Sequence, residues 1–450
     1  MNRRSFLKAT GFGAASLVLS SSVPGAEAQR DRILEKADAR IEKHRKGDAM
    51  LRLVTPDGKS LDAGLTVRIE QTCHKFLFGC GISELRRCRT PEDNANYEKQ
   101  FAALFNYATL PFYWDLDESH EGKPDYEHAE EIIHWCKGHN ITTKGHPLAW
   151  NWSEPTWLPD ASEAVMETQL NRIRQCVKRF KGSIDIWVVV NEAARYDRDT
   201  CKKTAPKLTE AIRQMGVAEY VRQAFKTARQ ANPHATLIIN DACEPVYAQK
   251  VISQLVDKTG KPLWDVIGIT SHMHGGYWGA KPIWEVCEYF AKFGKPLHFT
   301  ETTLLSGEEG WDLREKRKDT NFIWASTSEG ENRQAWQIVE FYHVLFSHPA
   351  VKAITWWDFS DQNAWLEAPA GLVRTDMTPK LAYQQLMQLI KDKWWTQTEM
   401  EVTAGGKARF RGFFGEYKAS ARIGNRELTT SFSFDQSTKA TIDVPLKENL

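Results

Sequence analysis

The sequence has almost no net charge, which narrows the kinds of partner that it can bind. Its 59 lysines and arginines nearly balance 58 aspartates and glutamates, which gives a formal charge of +1. No long run of like charge occurs. Proteins that bind nucleic acid or anionic membrane surfaces usually carry a basic excess. We therefore expect neither partner for this chain.

Signatures of metal and phosphate binding are also missing. Cysteines occur at positions 73, 80, 88, 136, 176, 201, 243 and 287, with no CxxC pair and no Cys/His cluster at ligand spacing. No GxGxxG or phosphate loop opens a helical segment, which argues against an open dinucleotide-binding sheet. We expect no metal and no other cofactor. Most thiols should be buried and free, although Cys73 and Cys80 could pair after export.

Long apolar runs are absent beyond the N-terminus, which carries an export pattern. Residues 2–8 (NRRSFLK) resemble a twin-arginine signal, and residues 26–28 (AEA) form a small-x-small cleavage site. The mild apolar stretch between them, residues 14–23, is too short to span a bilayer stably. We predict that residues 1–28 are a removed signal peptide. The mature protein would then be exported, to the periplasm or outside the cell, after folding.

Strands and helices alternate through most of the chain. Eight apolar, β-branched segments predict buried strands at 76–79, 107–110, 141–144, 184–190, 236–240, 266–270, 297–300 and 353–357. A helical pattern follows nearly every one; in residues 162–180, for example, apolar side chains recur at steps of four and three. This count and order predict an α/β fold of the (β/α)8 TIM-barrel type rather than an open doubly wound sheet.

Both ends of the predicted barrel carry β-type patterns. Residues 50–54 and 65–69 alternate polar and apolar side chains around a Pro-Asp-Gly turn, which predicts a β-hairpin. We divide the chain into the signal peptide, a preface of one helix and this hairpin (29–72), a catalytic barrel (73–395) and a small β appendage (396–450). The appendage could act as a lid, contribute to sugar binding, or only support packing.

Two predicted strands end on a glutamate. Residues 184–190 lead into Asn191 and Glu192, and residues 297–300 lead into Glu301. Glu192 alone could be the first polar residue of a loop. Because the two glutamates end the fourth and seventh predicted strands, however, both carboxylates would lie at the rim of the barrel where active sites form. Glycoside hydrolysis requires such a pair, one protonated to serve the leaving oxygen and one ionised to attack the anomeric carbon.

The chain also has 17 tryptophans, whose flat apolar faces suit stacking on sugar rings. Ordinary core packing is the alternative. Around the two glutamates, the sequence resembles glycoside hydrolase family 10, the retaining endo-β-1,4-xylanases with a (β/α)8 fold. The similarity runs from about residue 41 to 417, and its matching segments are 144–150 (KGHPLAW), 187–192 (WVVVNE), 268–272 (GITSH), 299–301 (FTE), 348–357 (HPAVKAITWW) and 378–383 (TPKLAY).

The resemblance implies a role for each predicted site residue. Glu192 would be the acid/base and Glu301 the nucleophile. Asn191 would bind the 2-hydroxyl of the sugar, and His272 would orient Glu301 and hold it ionised. The other predicted substrate-binding residues are Lys144, His146, Trp150, Trp357 and Trp365. For His272 and the tryptophans, a place in the core is the alternative.

The sequence departs from the family at several sugar-binding positions. Residues 109–114 (TLPFYW) replace a Glu-Asn-x-x-Lys-Trp pattern on strand two. Asn151 stands in place of a histidine, Thr270 in place of a glutamine, and Thr303 in place of an aspartate. The resemblance therefore implies hydrolysis with fewer of the usual contacts to xylose.

These departures lead to an expectation about specificity. We expect weak activity on plain linear xylan and better activity on a decorated or different β-linked glycan that stacks on Phe112, Tyr113 and Trp114. Alternatively, Phe112 and Trp114 pack below the rim, and Lys144 or another basic group replaces the missing lysine.

Two classes of function follow. The first is a retaining, endo-acting hydrolase of xylan or a related hemicellulose. The second is a polysaccharide-binding relative with weak or lost catalysis, and a hydrolase of a different β-glycan is a further alternative. The presence of both glutamates favours hydrolysis. The partner would be a polysaccharide or oligosaccharide substrate, with no membrane contact after signal removal, and we expect a monomer.

Overall fold

A computed structural model describes residues 32–316, 322–438 and 441–448. The predicted signal peptide lies outside the described residues. Within them, no helix combines the length and apolar character needed to cross a membrane. The eight cysteines are all free thiols, and Cys73 and Cys80 do not form a disulfide.

The strands, in chain order, are β1 (Lys46–Val54), β2 (Thr66–His74), β3 (Leu77–Gly81), β4 (Tyr107–Pro111), β5 (Thr142–His146), β6 (Ile186–Asn191), β7 (Thr236–Ala242), β8 (Val266–His272), β9 (Leu297–Thr303), β10 (Val351–Trp356), β11 (Gln397–Glu401), β12 (Lys407–Phe413), β13 (Gly415–Ile423), β14 (Arg426–Phe434), β15 (Thr441–Pro445) and β16 (Lys447–Glu448).

The α-helices are α1 (Ala37–Arg45), α2 (Pro91–Leu104), α3 (Trp114–Asp117), α4 (Glu127–Gly138), α5 (Ser162–Arg179), α6 (Asp199–Thr204), α7 (Pro206–Met215), α8 (Val217–Ala231), α9 (Pro245–Lys250), α10 (Ala280–Ala291), α11 (Leu313–Lys316), α12 (Ser328–Ser347) and α13 (Leu381–Gln388). Short 3-10 turns lie at Ala193–Arg195, Ile252–Gln254 and Trp365–Glu367, and a π-helical turn at Leu389–Lys393.

Strands β3 to β10 close into a parallel barrel in which neighbours follow chain order and β10 pairs with β3. Every residue of β8 and β9 is buried, because the barrel interior covers one face and the helices cover the other. Helix α5, for example, buries Val165, Ile173 and Val177. The predicted (β/α)8 fold is confirmed, and each of the eight predicted strands overlaps an observed one.

The strands outside the barrel form two small sheets. One sheet has the order β12-β1-β15, and the other has the order β11-β2-β13-β14-β16. The hairpin predicted for the preface is therefore wrong, since β1 and β2 pair with C-terminal strands and not with each other. Alternation in a sequence shows which face of a strand is buried, but it does not identify the neighbouring strand.

Preface and appendage strands thus share one apolar core, which includes Leu51, Ile69, Phe410 and Tyr417. We call these two sheets the β unit. The domain boundaries at 28, 72 and 395 stay predictions.

Arg45 connects the β unit to the barrel, because it ends α1 immediately before β1. Its Nε donates to Phe346 O at 2.6 Å, and its Nη2 donates to His348 O and Val351 O at 2.7 and 2.8 Å. These carbonyls lie where β10 begins, so the contact is at the end of the barrel opposite the carboxyl ends of the strands. Of the roles considered for the appendage, support of packing is therefore the one that fits this position.

Candidate active site

The carboxyl ends of the barrel strands surround a cleft of about 780 Å³. Its lining contains eight of the nine predicted site residues: Glu192, Glu301, His146, Trp150, Asn191, His272, Trp357 and Trp365. It also contains Tyr113, Asp115, Leu116, Trp152, Ser153, Arg195, Arg198 and Trp311. The structure therefore brings together residues that are up to about 250 positions apart in the sequence.

Glu301 lies near the end of β9 and is only 6% exposed. Its Oε2 is 3.1 Å from His272 Nε2, and its Oε1 accepts a hydrogen bond from Asn240 Nδ2 at 2.7 Å. Burial raises the pKa of Glu301, and the Glu192 carboxylate raises it further, whereas the Lys144 ammonium opposes the shift. Glu301 is thus a desolvated carboxyl with a partner for each oxygen, as a positioned nucleophile requires.

Asn240, in the C-terminal half of β7, orients two of the predicted residues. Its Nδ2 donates at 2.7 Å to Asn191 Oδ1 as well as to Glu301, while Thr300 Oγ1 donates to Asn240 Oδ1 at 2.5 Å. Gly268 on the adjacent strand makes room for this amide, because a Cβ there would lie 2.3 Å from Asn240 Oδ1. The amide is therefore locked in one orientation.

Glu192 follows β6 in a left-handed backbone conformation, with φ 51° and ψ 36°. Residues other than glycine rarely adopt it, and such conformations concentrate at functional sites. Hydrogen bonds to β7 hold this turn, from Glu192 N to Asn240 O at 2.9 Å and from Ala194 N to Asp241 Oδ2 at 2.8 Å. Burial raises the pKa of Asp241 to about 6, and the Arg195 charge opposes the shift.

Two arginines hold the side chain of Glu192. Arg195 Nη2 donates to Glu192 Oε1 at 2.5 Å, and Arg198 Nη2 donates to Glu192 Oε2 at 2.7 Å. Burial lowers the pKa of the Arg195 guanidinium, but the attraction of Glu192 and Asp241 outweighs it, so that the net shift is upward. Both carboxylate oxygens therefore accept charge-assisted hydrogen bonds, which favour the ionised form of Glu192.

Lys144 does not line the cleft, and its predicted contact with substrate does not fit its position. It is 0% exposed, and its Nζ lies 3.5 Å from Thr300 O and over the ring of Tyr107. Lys144 and His146 share one face of β5, so Lys144 is about 6–7 Å deeper in the barrel. Burial lowers the pKa of Lys144 to about 7, and the Glu301 charge opposes the shift. Its role is thus electrostatic, beneath Glu301.

The predicted sugar-binding rings surround Glu301. His146 Nε2 lies 3.7 Å from Glu301 Oε1, and burial lowers the pKa of His146 to about 4, so that its imidazole is neutral at pH 7. The Trp357 ring packs edge-on against His146, and the Trp365 ring lies 4.5 Å from that of His272. These rings form an apolar wall with histidine nitrogens at its base, which suits a sugar ring.

Of the three aromatic residues expected to bind a substituent, only Tyr113 lines the cleft. Phe112 is fully buried against Phe180 and Trp187, and Trp114 is 5% exposed with its Nε1 donating to Glu118. The expectation of a three-residue platform is therefore wrong. The chain leaves β4 after Pro111 and enters α3 at Trp114, which packs against Trp157, so Tyr113 alone of the three residues faces the cleft.

Several residues in or beneath the cleft were not predicted from the sequence. Asn240 ends an apolar strand just as Asn191 does, so the same reasoning could have found it. Arg195 and Arg198 lie in a short turn without periodicity, and nothing in the pattern marks them. In the described ranges, no group of three or more His, Cys, Asp or Glu side chains could hold a metal ion.

Comparisons with known proteins agree with this geometry. The family model described as "Glycosyl hydrolase family 10" matches residues 70–389. Endo-1,4-beta-xylanase 1 of Arabidopsis thaliana is 27% identical over 417 residues, which cover 87% of this chain and 37% of that protein. Endo-1,4-beta-xylanase B of Paenibacillus barcinonensis is 29% identical over 287 residues, 60% of this chain and 82% of that protein.

The chain is also similar to a protein that is not named as a xylanase. The anti-sigma-I factor RsgI6 of Acetivibrio thermocellus is 24% identical over 400 residues, which cover 87% of this chain and 47% of that protein. The chain thus spans less than half of the length of this relative and of the Arabidopsis one.

The same fold occurs among solved structures. The family 10 structure from Paenibacillus barcinonensis has a TM-score of 0.57 at 23% identity, covering 71% of this chain and 96% of that one. At this identity the likeness shows the fold alone. The family model, by contrast, covers most of the sequence and both glutamates, and the chain therefore belongs to glycosyl hydrolase family 10.

Proposed function

We propose that the protein is a retaining, endo-acting glycoside hydrolase that cleaves a β-linked polysaccharide, xylan or a related hemicellulose, by double displacement. The observation that carries the proposal is the position of Glu301, whose two oxygens are held by His272 and Asn240 in a cleft shared with Glu192. A paired carboxylate site walled by indole rings matches the requirements of glycoside hydrolysis.

In the first step, Glu301 attacks the anomeric carbon while Glu192 gives a proton to the leaving oxygen. The glycosidic C–O bond breaks, and a covalent glycosyl ester forms on Glu301. His272 and Asn240 hold the attacking carboxylate in place during this step. Asn191, itself oriented by Asn240, is placed to bind the 2-hydroxyl, an interaction that strengthens as positive charge develops on the ring.

In the second step, Glu192 acts as a base. It removes a proton from a water molecule that attacks the anomeric carbon, and Glu301 is released as a carboxylate. The two inversions leave the anomeric configuration unchanged. We expect the carboxyls to be about 5–5.5 Å apart, as in retaining enzymes, and not about 6.5–9.5 Å.

A second candidate function is carbohydrate binding with weak or no turnover. The similarity to an anti-sigma-I factor favours it, because that name is not the name of an enzyme. The presence of both Glu192 and Glu301 favours hydrolysis.

We also propose that residues 1–28 direct export through the twin-arginine route and that the exported protein is a monomer. The support for export is the NRRSFLK motif followed by a short apolar stretch and an AEA site. Size-exclusion chromatography coupled to light scattering would test the oligomeric state, and a dimer mass would contradict the second part.

A polysaccharide panel with NMR detection tests the central proposal. The protein should release new reducing ends from a β-linked glycan, and the first-formed product should be the β-anomer. The Glu301→Ala variant serves as the control and should release none. An α-anomer as first product would contradict double displacement, and binding without release would favour the second candidate.

A further inference from the structure

The contacts of Glu192 favour the role of a base over that of an acid. A protonated carboxyl carries an O–H that must donate, but arginine offers only donors and no acceptor. Because Arg195 and Arg198 each place a positive charge beside one oxygen of Glu192, they stabilise the carboxylate and oppose its protonation. The observed arrangement suits the base of the second step, and withdrawal of one arginine would favour the acid of the first.

Arg198 is the arginine that can move. Arg195 is held from the opposite side, with its Nε 3.6 Å from Asp241 Oδ1, whose carboxylate is 1% exposed. Both arginines line the cleft and are similarly exposed, at 24% for Arg198 and 22% for Arg195. Among the described residues, however, Arg198 pairs with no carboxylate besides Glu192, and its other partner is the side chain of Cys201. Its guanidinium lies 5.5 Å from the ring of Trp152, a contact that keeps a displaced arginine over the cleft.

The surroundings of Arg198 are suited to a sugar. Trp152 stacks on Trp150 with their centroids 5.3 Å apart and their planes at 16°, and both rings line the cleft. An acid must stand beside the leaving oxygen, so the groups around Glu192 that lie away from Glu301 face the leaving-group sugar. Arg198 and the two indoles thus combine a stacking surface with a cation at that position.

We propose that Arg198 binds an anionic substituent on the leaving-group sugar, the carboxylate of a uronate or a sulfate ester, and so releases Glu192 to act as the acid. This inference rests on the proposed function and specifies its substrate class. When Arg198 turns to the anion, the freed Glu192 oxygen takes a proton from solvent. It passes that proton to the glycosidic oxygen as Glu301 attacks the anomeric carbon and the C–O bond breaks. A guanidinium fork matches the planar oxygens of such anions.

The test compares three β-linked oligosaccharides with the same linkage. One carries a uronate on the leaving side, the second is its carboxyl-reduced neutral counterpart, and the third carries a sulfate ester there. The wild-type kcat/KM should be about 10- to 100-fold higher for an anionic substrate than for the neutral one, because one charge-assisted contact is gained. The gain should appear in kcat as well as in KM. Whichever anion is preferred identifies the substituent.

Variants assign this preference to Arg198. Arg198→Met should abolish it, and Arg198→Lys should retain part of it, because the charge remains. Arg213→Met is the matched control, since Arg213 also pairs with a glutamate, Glu210, but lies on the surface and does not line the cleft. It should keep the wild-type ratio. If Arg198→Met does not fold, the comparison of the three substrates with the wild-type protein still shows whether an anionic substituent is preferred.

An aryl β-glycoside with an acidic leaving group separates this inference from the proposed function, because its cleavage needs no proton from Glu192. If that substrate is hydrolysed in a Glu301-dependent way while charged and neutral oligosaccharides react equally, the role of Arg198 is refuted and the hydrolase function stands. If no β-glycoside is hydrolysed, both are refuted.

Discussion

Removing the amide of Asn240 should raise the pH at which the enzyme begins to lose activity. In the Asn240→Ala variant, Glu301 loses one hydrogen bond that stabilises its ionised form, at 2.7 Å. Weaker stabilisation of the carboxylate raises its pKa, so that protonation removes the nucleophile at a higher pH. The shift adds to the one that burial already causes in Glu301.

The size of the shift follows from the kind of bond that is lost. A hydrogen bond to a charged group contributes about 1.5–3 kcal/mol, and one pKa unit corresponds to about 1.4 kcal/mol. The acidic limb of kcat/KM should therefore move upward by about one to two pH units. Asn240→Asp should inactivate the enzyme more severely, because it places an acceptor and a negative charge beside Glu301.

The assay is the pH dependence of kcat/KM on an activated aryl β-glycoside. Because such a substrate needs no acid, the acidic limb reports Glu301 alone. Asn232→Ala is the matched control. Asn232 is another buried asparagine that donates to a carboxylate, Asp185 Oδ1 at 2.7 Å, but that carboxylate, unlike Glu301, does not line the cleft. A folded Asn240→Ala protein whose acidic limb coincides with that of the control would refute the reasoning.

Three further predictions follow from the same structure. Glu192→Ala should slow hydrolysis of an unactivated glycan by about 10²–10⁴-fold but spare the aryl glycoside; equal losses on both would contradict the acid role. Lys144→Met removes a positive charge beneath Glu301, so the acidic limb should rise by about one pH unit, and a shift to lower pH would contradict the electrostatic role. Arg45→Met leaves three carbonyl oxygens without their donor and should lower the free energy of unfolding by about 2–4 kcal/mol in a denaturant titration, with kcat unchanged. An unchanged denaturation midpoint would show that Arg45 does not join the β unit to the barrel.

The barrel could be predicted from the sequence because each of its strands is a local pattern. Buried parallel strands are continuous apolar runs, and a glutamate at the end of such a run lies at the rim whatever the rest of the chain does. This local reasoning located Glu192 and Glu301. It could not find the partners of β1, because those strands lie more than 340 residues away in the chain and alternation does not identify them.

A second limit is that the sequence does not show how deep in the barrel a side chain lies. Lys144 and His146 occupy the same face of one strand, and only the closed structure shows that one supports Glu301 from below while the other reaches the cleft. Arg195 and Arg198 were missed for a third reason. Their importance depends on the left-handed turn at Glu192, which brings their guanidiniums to its carboxylate and which no sequence pattern indicates.

Trapping of the covalent intermediate tests the central claim most directly. A 2-deoxy-2-fluoro β-glycoside with an acidic leaving group slows breakdown of the glycosyl ester, because fluorine destabilises the positively charged transition state. Mass spectrometry of the digested protein should locate one added glycosyl group on Glu301, with no adduct in Glu301→Gln. A label on Glu192 or another residue, or turnover of this substrate without any adduct, would contradict the account.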